Sequence, residues 1–144
     1  MDLGLKDKVA IVTGGSRGIG RAIALQFAAE GCHVAICARG EEKLRETEAE
    51  LRAKGVKVVA ASVDVTDAPA LEAFVNDVAT QLGRVDALVN NAGGNVAGDD
   101  DDAWLRAIDM NLMAAVRATR AAVATVAAAV VPSRRTRALP CWLA

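Results

Sequence analysis

The sequence of 144 residues contains no tyrosine, and its only aromatic side chains are two tryptophans and two phenylalanines. Tyrosine is therefore excluded from any acid–base role in this chain. Acidic and basic side chains nearly balance at a formal net charge of −1, which gives no reason to expect nucleic acid or an anionic membrane as a partner. No apolar run is long enough to span a bilayer. The first eight residues lack the apolar core of a signal peptide, so we expect a cytoplasmic protein.

Cysteine and histidine are also scarce. Cys32, Cys37 and Cys141 form no C-x-x-C pair, and we expect reduced, structural thiols and no metal site. The one histidine, His33, opens a predicted strand, and we interpret it as a strand-end residue rather than a ligand or a base. The acidic run 99–102 lacks the spacing of an EF-hand, so it indicates a solvated helix start rather than a calcium site.

What remains is an ordinary globular composition, with 53% hydrophobic and 24% charged residues. The length suits one domain with a sizeable core. We expect an α/β domain over residues 1–131, followed by an irregular basic tail over residues 132–144. In that tail three arginines lie between two prolines, and neither a strand nor a helix period is visible.

The most informative stretch is a glycine-rich turn near the start of the chain. Apolar residues 9–12 run directly into residues 13–20, after which Ile19, Ile23 and Phe27 recur at helical spacing. Glycine lets the backbone turn tightly and approach a ligand closely, and the new helix directs its N–H groups and positive dipole end at the same place. A pyrophosphate is the natural occupant. A tight strand-to-helix turn without a ligand is the alternative.

Hydrophobic periodicity divides the chain into alternating strands and helices. The predicted strands cover residues 8–13, 33–38, 57–63 and 85–89. The predicted helices cover residues 17–30, 41–54, 68–82, with Asp67 as the N-cap, and 101–131, the last of which is expected to turn Trp104, Leu105, Ile108, Leu112 and Val116 inward. This alternation predicts right-handed βαβ units and a parallel sheet. Ligands should bind beyond the carboxyl ends of the strands, at the loops 13–20, 39–40, 64–66 and 90–94.

Three motifs in these loops carry a specific resemblance. Thr13-Gly14-x3-Gly18-x-Gly20, Asp64-Val65 and Asn90-Asn91-Ala92-Gly93 follow one another as in the short-chain dehydrogenase/reductase family, and the resemblance covers about residues 5–120. It implies a Rossmann-type fold and hydride transfer between a nicotinamide dinucleotide and an alcohol or carbonyl. The cofactor-binding residues that it implies are Thr13, Gly14, Ser16, Arg17, Gly18, Ile19, Gly20, Arg39, Asp64, Val65, Asn91, Ala92 and Gly93.

The residue after the second strand favours one form of this cofactor. An acid at that point binds the ribose 2′-hydroxyl of NAD, whereas an arginine accommodates the 2′-phosphate of NADP. This chain has Arg39 there, and Arg17 in the glycine turn adds a second guanidinium. We therefore expect NADP(H) rather than NAD(H), with a solvated loop charge as the alternative interpretation of Arg39. Asp64 matches the family's adenine-binding aspartate, and an Asx-turn before the next helix is a compatible role.

The catalytic residues of the family are mostly missing. Its reaction uses a Tyr-x-x-x-Lys motif and a serine, and neither the tyrosine nor a later lysine than Lys57 is present. Asn111 alone matches a family site residue, which in relatives helps to hold a water in the proton relay; a helix-bending polar group is the alternative. We expect a cofactor-binding part without catalysis of its own. The alternatives are a non-enzymatic dinucleotide-binding or interaction module, a frame-shifted remnant, and an enzyme whose acid comes from another chain.

The family's pattern fades after about residue 120, which suggests a truncation or a reading-frame slip; a genuine short protein with a disordered tail is the rival interpretation. We expect a Rossmann-type sheet in the order 3-2-1-4, truncated after the fourth strand and the following long helix. Strand 4 would then expose an edge, and the helix 101–131 would expose apolar surface. Both features predict self-association.

Overall fold

The computed structural model describes residues 3–130. Its strands form one parallel sheet in the order β3-β2-β1-β4, as the sequence predicts. The strands are β1 (Val9–Thr13), β2 (His33–Ala38), β3 (Val58–Ser62) and β4 (Ala87–Val89). The helices are α1 (Gly18–Ala29), α2 (Glu41–Arg52), α3 (Ala68–Leu82), α4 (Asp101–Ile108) and α5 (Ala114–Val130), with a π-helical turn (Asp109–Met113) between the last two.

The two central strands are apolar along both faces because helices cover both sides of the sheet. Val9, Ala10, Ile11 and Val12 are fully buried. On one side Ile11 contributes to a core with α3 and α5, and on the other side Val12 contributes to a core with α1 and α2. This is the three-layer α/β arrangement of the predicted Rossmann-type fold.

The limits of helix α3 follow from its local sequence. The side chain of Asp67 caps the start of α3 by accepting a hydrogen bond from the backbone N–H of Ala70 at 3.0 Å. Gly83 ends the helix in the left-handed region, at φ 82°. The apolar stripe predicted for this helix faces the sheet and is buried at Leu71, Phe74, Val75 and Val78.

Strand β4 is shorter than predicted and pairs only with β1 within residues 3–130. Its residues Ala87–Val89 are all partly exposed, in contrast to β1. Beside its outer edge lies an apolar groove of about 420 Å³ between β4 and α5, which includes Leu88 and Val123. The exposed edge expected for the fourth strand is therefore present.

The inward face predicted for the last helix is wrong. Trp104, Leu105, Ile108 and Leu112 are exposed by 62%, 64%, 45% and 56%, and Val116 is half-buried. Small residues face the interior instead, namely Ala103, Ala114, Ala118, Ala121 and Ala122. Alanine lets a helix approach its neighbours closely. The π-helical turn also contains more residues per turn, which rotates the residues after it relative to a regular α-helix.

Two sequence expectations lie outside the described residues: the irregular basic tail 132–144 and the thiol of Cys141. Within residues 3–130, no helix combines the length and the hydropathy needed to cross a bilayer.

The buried alanine face of α5 gives a test of this packing. Ala118 is fully buried, so we expect Ala118→Leu to reduce the free energy of unfolding by about 1–3 kcal/mol through overpacking. The control is Ala124→Leu, on the exposed side of the same helix, where we expect a change within about 0.5 kcal/mol. Urea unfolding of both variants measures the difference. Equal effects would contradict the assigned orientation of α5.

Candidate functional site

The carboxyl ends of β1 and β4 are joined by side chains. The buried hydroxyl of Thr13 donates to the carbonyl oxygen of Val89 at 3.4 Å and accepts from the N–H groups of Asn91 and Ala92 at 3.1 and 3.0 Å. In return, the side-chain amide of Asn91 donates to the carbonyl oxygens of Thr13 and Gly14 at 3.0 and 3.2 Å. These bonds pair main-chain N–H and carbonyl groups that lie beyond the end of the sheet, and they fix the glycine-rich turn to the loop after β4.

The glycines of the turn are required by close packing. A Cβ on Gly20 would collide with the carbonyl oxygen of Gly14 and with the side-chain amide of Asn91. A Cβ on Gly15 would lie 2.5 Å from Cγ2 of Ile36, on the neighbouring strand. Gly14 itself has a φ of 68°, which side chains rarely adopt. Sequence reasoning missed Gly15, although it lies inside the same glycine-rich run.

Helix α1 begins in a position suited to an anion. Arg17 is its N-cap residue in an extended conformation, and within the described chain its side chain makes no capping bond. The first N–H groups of an α-helix have no intrahelical acceptor, and its dipole is positive there. Gly18 has a φ of 54° with open space around its Cβ position, and Ile19 is 74% exposed. This open, N–H-rich cradle fits a phosphate group.

Arg39 and Asp64 meet at the ends of β2 and β3. Nη1 of Arg39 lies 4.0 Å from Oδ2 of Asp64. The other oxygen, Oδ1, accepts from the N–H and the hydroxyl of Thr66 at 2.9 and 2.7 Å, which forms the Asx-turn considered above. The pKa of Asp64 is lowered, first by these bonds from Thr66 and then by the charge of Arg39, against the opposing effect of partial burial. Asp64 is therefore a carboxylate at neutral pH.

The same two strand ends are held together by further bonds. The hydroxyl of Ser62 donates to the carbonyl oxygen of Arg39 at 3.2 Å, and the N–H of Val63 donates to that of Ala38 at 3.1 Å. Val65, which the sequence places among the cofactor-binding residues, turns its side chain into the core and is 9% exposed. Only its main chain is available to a ligand.

Asn111 lies in the π-helical turn and faces the loop after β4. Its Oδ1 accepts from the N–H of Gly94 at 3.0 Å, and its Nδ2 donates to the carbonyl oxygens of Gly94 and Ala107, each at 3.0 Å. A Cβ on Gly93 would lie 2.7 Å from this Oδ1. Asn111 therefore fixes the loop 93–94, and its bond to Ala107 also matches the helix-bending role that the sequence left open.

Other reactive side chains lie away from this edge or are masked by burial. Burial raises the pKa of the Cys37 thiol to about 11, so it is protonated at neutral pH and unsuited to nucleophilic attack. Cys32 and Cys37 are both free thiols. His33 opens β2 at the opposite end of the sheet, where Nδ1 accepts from the N–H of Lys57 at 3.3 Å.

Comparison with known proteins identifies the class. The sequence profile described as short chain dehydrogenase matches residues 8–131. The 3-oxoacyl-(acyl-carrier-protein) reductase of Staphylococcus aureus is 44% identical over 112 residues, which cover 73% of this chain and 45% of that protein. The chain therefore belongs to the short-chain dehydrogenase family.

Solved structures agree with this assignment. The L-sorbose reductase of Gluconobacter frateurii, in complex with NADPH and L-sorbose, is 40% identical with a TM-score of 0.83, over 89% of this chain and 51% of that one. The carveol dehydrogenase of Mycobacterium avium, in complex with NAD, is 31% identical with a TM-score of 0.82, over 86% of this chain and 51% of that one. This chain spans about half the length of these relatives. The family is thus shared, whereas the two relatives differ in the cofactor that they bind.

The packing around Gly20 can be tested directly. Helix propensity alone favours Gly20→Ala by about 1 kcal/mol, but the collision with Gly14 and Asn91 should reverse the sign and destabilise the protein by about 1–3 kcal/mol. Gly40→Ala is the control, because its Cβ position is open and its φ is −87°; we expect a change below about 1 kcal/mol. Thermal and urea unfolding give the comparison. Stabilisation by Gly20→Ala would contradict the described turn.

Proposed function

We propose that this chain is the NADP(H)-binding part of a short-chain dehydrogenase/reductase-type oxidoreductase, whose reaction is hydride transfer between NADP(H) and an alcohol or carbonyl. The observation that carries the proposal is the fixed turn of Thr13 and the glycines, which joins two strand ends beneath the start of helix α1. A cradle with these close contacts favours a ligand that needs close main-chain approach, as a pyrophosphate does.

Each segment of the site has a place along the dinucleotide. The pyrophosphate would lie at the start of α1, against the N–H groups of Gly18 and Ile19, with Ser16 beside it. The adenosine end would lie between Arg39 and Asp64, with Val65 contributing main-chain atoms. The nicotinamide end would lie toward Asn91, Ala92 and Gly93, on the loop that Thr13 fixes. When bound, the nicotinamide supplies or accepts the hydride.

The preference for NADP(H) rests on charge. Arg39 at the end of β2 is 68% exposed in its side chain, and Arg17 at the start of α1 is also exposed. A planar guanidinium pairs well with a phosphate, whereas the residue directly after β2 is not an acid that could accept a hydrogen bond from a ribose hydroxyl. These charges favour the form of the cofactor that carries the 2′-phosphate.

We further propose that the chain alone binds cofactor without turnover. A carbonyl that receives hydride needs a proton from a group tuned near the working pH, and the family's tyrosine has no counterpart in a sequence without tyrosine. The polar atoms of Asn111 are engaged by Gly94 and Ala107, which supports a positioning role. A non-enzymatic dinucleotide-binding module is the second candidate, and the same absence of tyrosine favours it.

Nucleotide titration tests the cofactor assignment. We expect the purified chain to bind NADPH more tightly than NADH, without oxidising NADPH when a carbonyl compound is added. Arg39→Ala should weaken NADPH by about tenfold or more and leave NADH nearly unchanged, because only NADPH carries the 2′-phosphate. Fluorescence or calorimetric titration of both nucleotides measures the two affinities.

The control for this variant is Arg45→Ala in helix α2, which begins two residues after Arg39. Arg45 is exposed and pairs with Glu41 at 3.5 Å, so we expect both nucleotide affinities to stay at the wild-type values. Equal weakening of NADPH and NADH by Arg39→Ala would contradict the 2′-phosphate assignment. Absence of binding of either nucleotide to the wild type would contradict the proposed function itself.

The proposed protein partner is a second copy of the chain. The exposed apolar stripe of Trp104, Leu105, Ile108 and Leu112 follows the acidic run 99–102. The exposed Arg120 lies farther along the same helical segment. In an antiparallel pair of copies the acidic start of one helix would approach Arg120 of the other, while the apolar stripes cover one another. The open edge of β4 offers a second route to the same association.

Sedimentation equilibrium at tens of micromolar tests this partner. We expect the wild type to self-associate and Leu105→Glu to shift it toward monomer, because a charge in the covered stripe is costly to desolvate. Arg106→Gln is the control: it changes the net charge equally, at an exposed neighbouring position, and should leave the association unchanged. A wild type that sediments only as a monomer would contradict the proposal.

The cytoplasmic location stays a prediction, which fractionation of expressing cells can check.

A further inference from the structure

A threonine on helix α2 stands out because its hydroxyl is buried against the glycine-rich turn. The buried stripe of α2 consists of Leu44, Thr47 and Leu51, and Thr47 is 1% exposed. The single hydrogen of its hydroxyl is shared between two acceptors, the carbonyl oxygens of Ser16 at 3.1 Å and of Lys43 at 3.0 Å. The bond to Lys43 is the usual local bond of a helical threonine, whereas the bond to Ser16 crosses to another element.

We propose that Thr47 is a positioning residue of the nucleotide site, which sets the orientation of the peptide between Ser16 and Arg17. The inference rests on the proposed function and adds to it a residue outside the family motifs. It assigns Thr47 no contact with the ligand. Thr47 acts through the glycine-rich turn.

The geometry of a trans peptide carries the argument. All described peptide bonds are trans, so the carbonyl of Ser16 and the N–H of Arg17 point in opposite directions. A hydrogen bond that turns the carbonyl toward α2 therefore also directs the N–H of Arg17 away from α2. It fixes the backbone from which the exposed Arg17 side chain projects, just before Gly18 adopts its positive φ. A change in this peptide would move both the cradle and the guanidinium.

The same hydroxyl links two parts of the proposed phosphate site. Helix α2 begins at Glu41, directly after Arg39 and Gly40, so Thr47 ties the segment that carries Arg39 to the turn that carries Arg17. Arg21 of α1 and Glu50 of α2 also form an ion pair between these elements, but their side chains are about 40% exposed, and such pairs contribute little. The buried hydroxyl is therefore the stronger constraint on how the turn meets α2.

Substitutions of Thr47 test whether its hydroxyl positions the turn. Thr47→Val keeps the shape of the side chain and removes the buried hydroxyl that donates to the carbonyl oxygen of Ser16, so the turn should lose its fixed orientation. We expect NADPH and NADH each to bind about tenfold more weakly, with their ratio unchanged, because both share the pyrophosphate. Thr47→Ser keeps the hydroxyl and should restore binding of both nucleotides.

The matched control is Thr80→Val on helix α3. The hydroxyl of Thr80 makes the same kind of local bond, to the carbonyl oxygen of Asn76 at 2.9 Å, without any bond to the turn. Nucleotide affinity should stay at the wild-type value in this control. Amide hydrogen exchange at Arg21, whose N–H donates to the carbonyl oxygen of Arg17 at 3.2 Å, gives a second readout in the nucleotide-free protein. We expect it to accelerate in Thr47→Val but not in Thr80→Val.

The outcomes separate the two proposals. Affinities of Thr47→Val within about twofold of wild type, or failure of Thr47→Ser to restore them, would overturn the role of Thr47. If Thr47→Val does not fold, Thr47→Ala replaces it, since alanine and serine both lack the γ-methyl group and differ in the hydroxyl; equal affinities of these two variants would also overturn it. If the wild type binds neither nucleotide, the proposed function fails, and unchanged exchange at Arg21 in Thr47→Val then overturns the role of Thr47 separately.

Discussion

The meeting of β1 and β4 at Thr13 is the contact on which the rest of the site depends. A parallel sheet ends with main-chain N–H groups that the sheet itself no longer pairs, and two of them, on Asn91 and Ala92, are satisfied by one buried hydroxyl. Because Asn91 returns the bonds to the carbonyls of Thr13 and Gly14, the two loops are held at a distance that excludes a Cβ on Gly20. This contact positions the start of α1, and with it the cradle that we propose for the pyrophosphate.

Much of the fold could be predicted because its signals are local. Continuous apolar runs in β1 and β2, the stripe of α3 and the cap at Asp67 predict their elements from a few neighbouring residues, and alternation predicts the parallel order. The need for Gly15 could not be seen in the same way, since it comes from Ile36 on another strand. Thr47 did leave a signal: it occupies the buried stripe of α2, where a polar side chain requires a partner.

The orientation of the last helix could not be predicted from its hydrophobic pattern. Trp104, Leu105, Ile108 and Leu112 form a genuine stripe, but periodicity does not say which of two apolar faces meets the sheet. The alanine face is the buried one because close helix packing favours small residues. The π-helical turn Asp109–Met113 also rotates the side chains of α5 relative to those of α4. The same turn contains Asn111, which it brings to Gly94, so this irregularity also accounts for the contact with the loop.

The polar groups at this edge of the sheet divide into two kinds. The side chains of Thr13, Asn91 and Asn111 form hydrogen bonds with the protein's own main chain. They therefore fix the geometry of the site and do not distinguish between ligands. Arg39 differs, because its contact with Asp64 spans 4.0 Å between largely exposed side chains, and such a pair contributes about 0–1 kcal/mol. A phosphate can therefore draw Arg39 away at little cost and gain a charge-assisted bond, whereas a ribose hydroxyl offers no comparable gain. If the proposed function is correct, affinity for a dinucleotide resides in the close-packed turn, and the choice between its phosphorylated and unphosphorylated forms resides in the exposed guanidinium of Arg39.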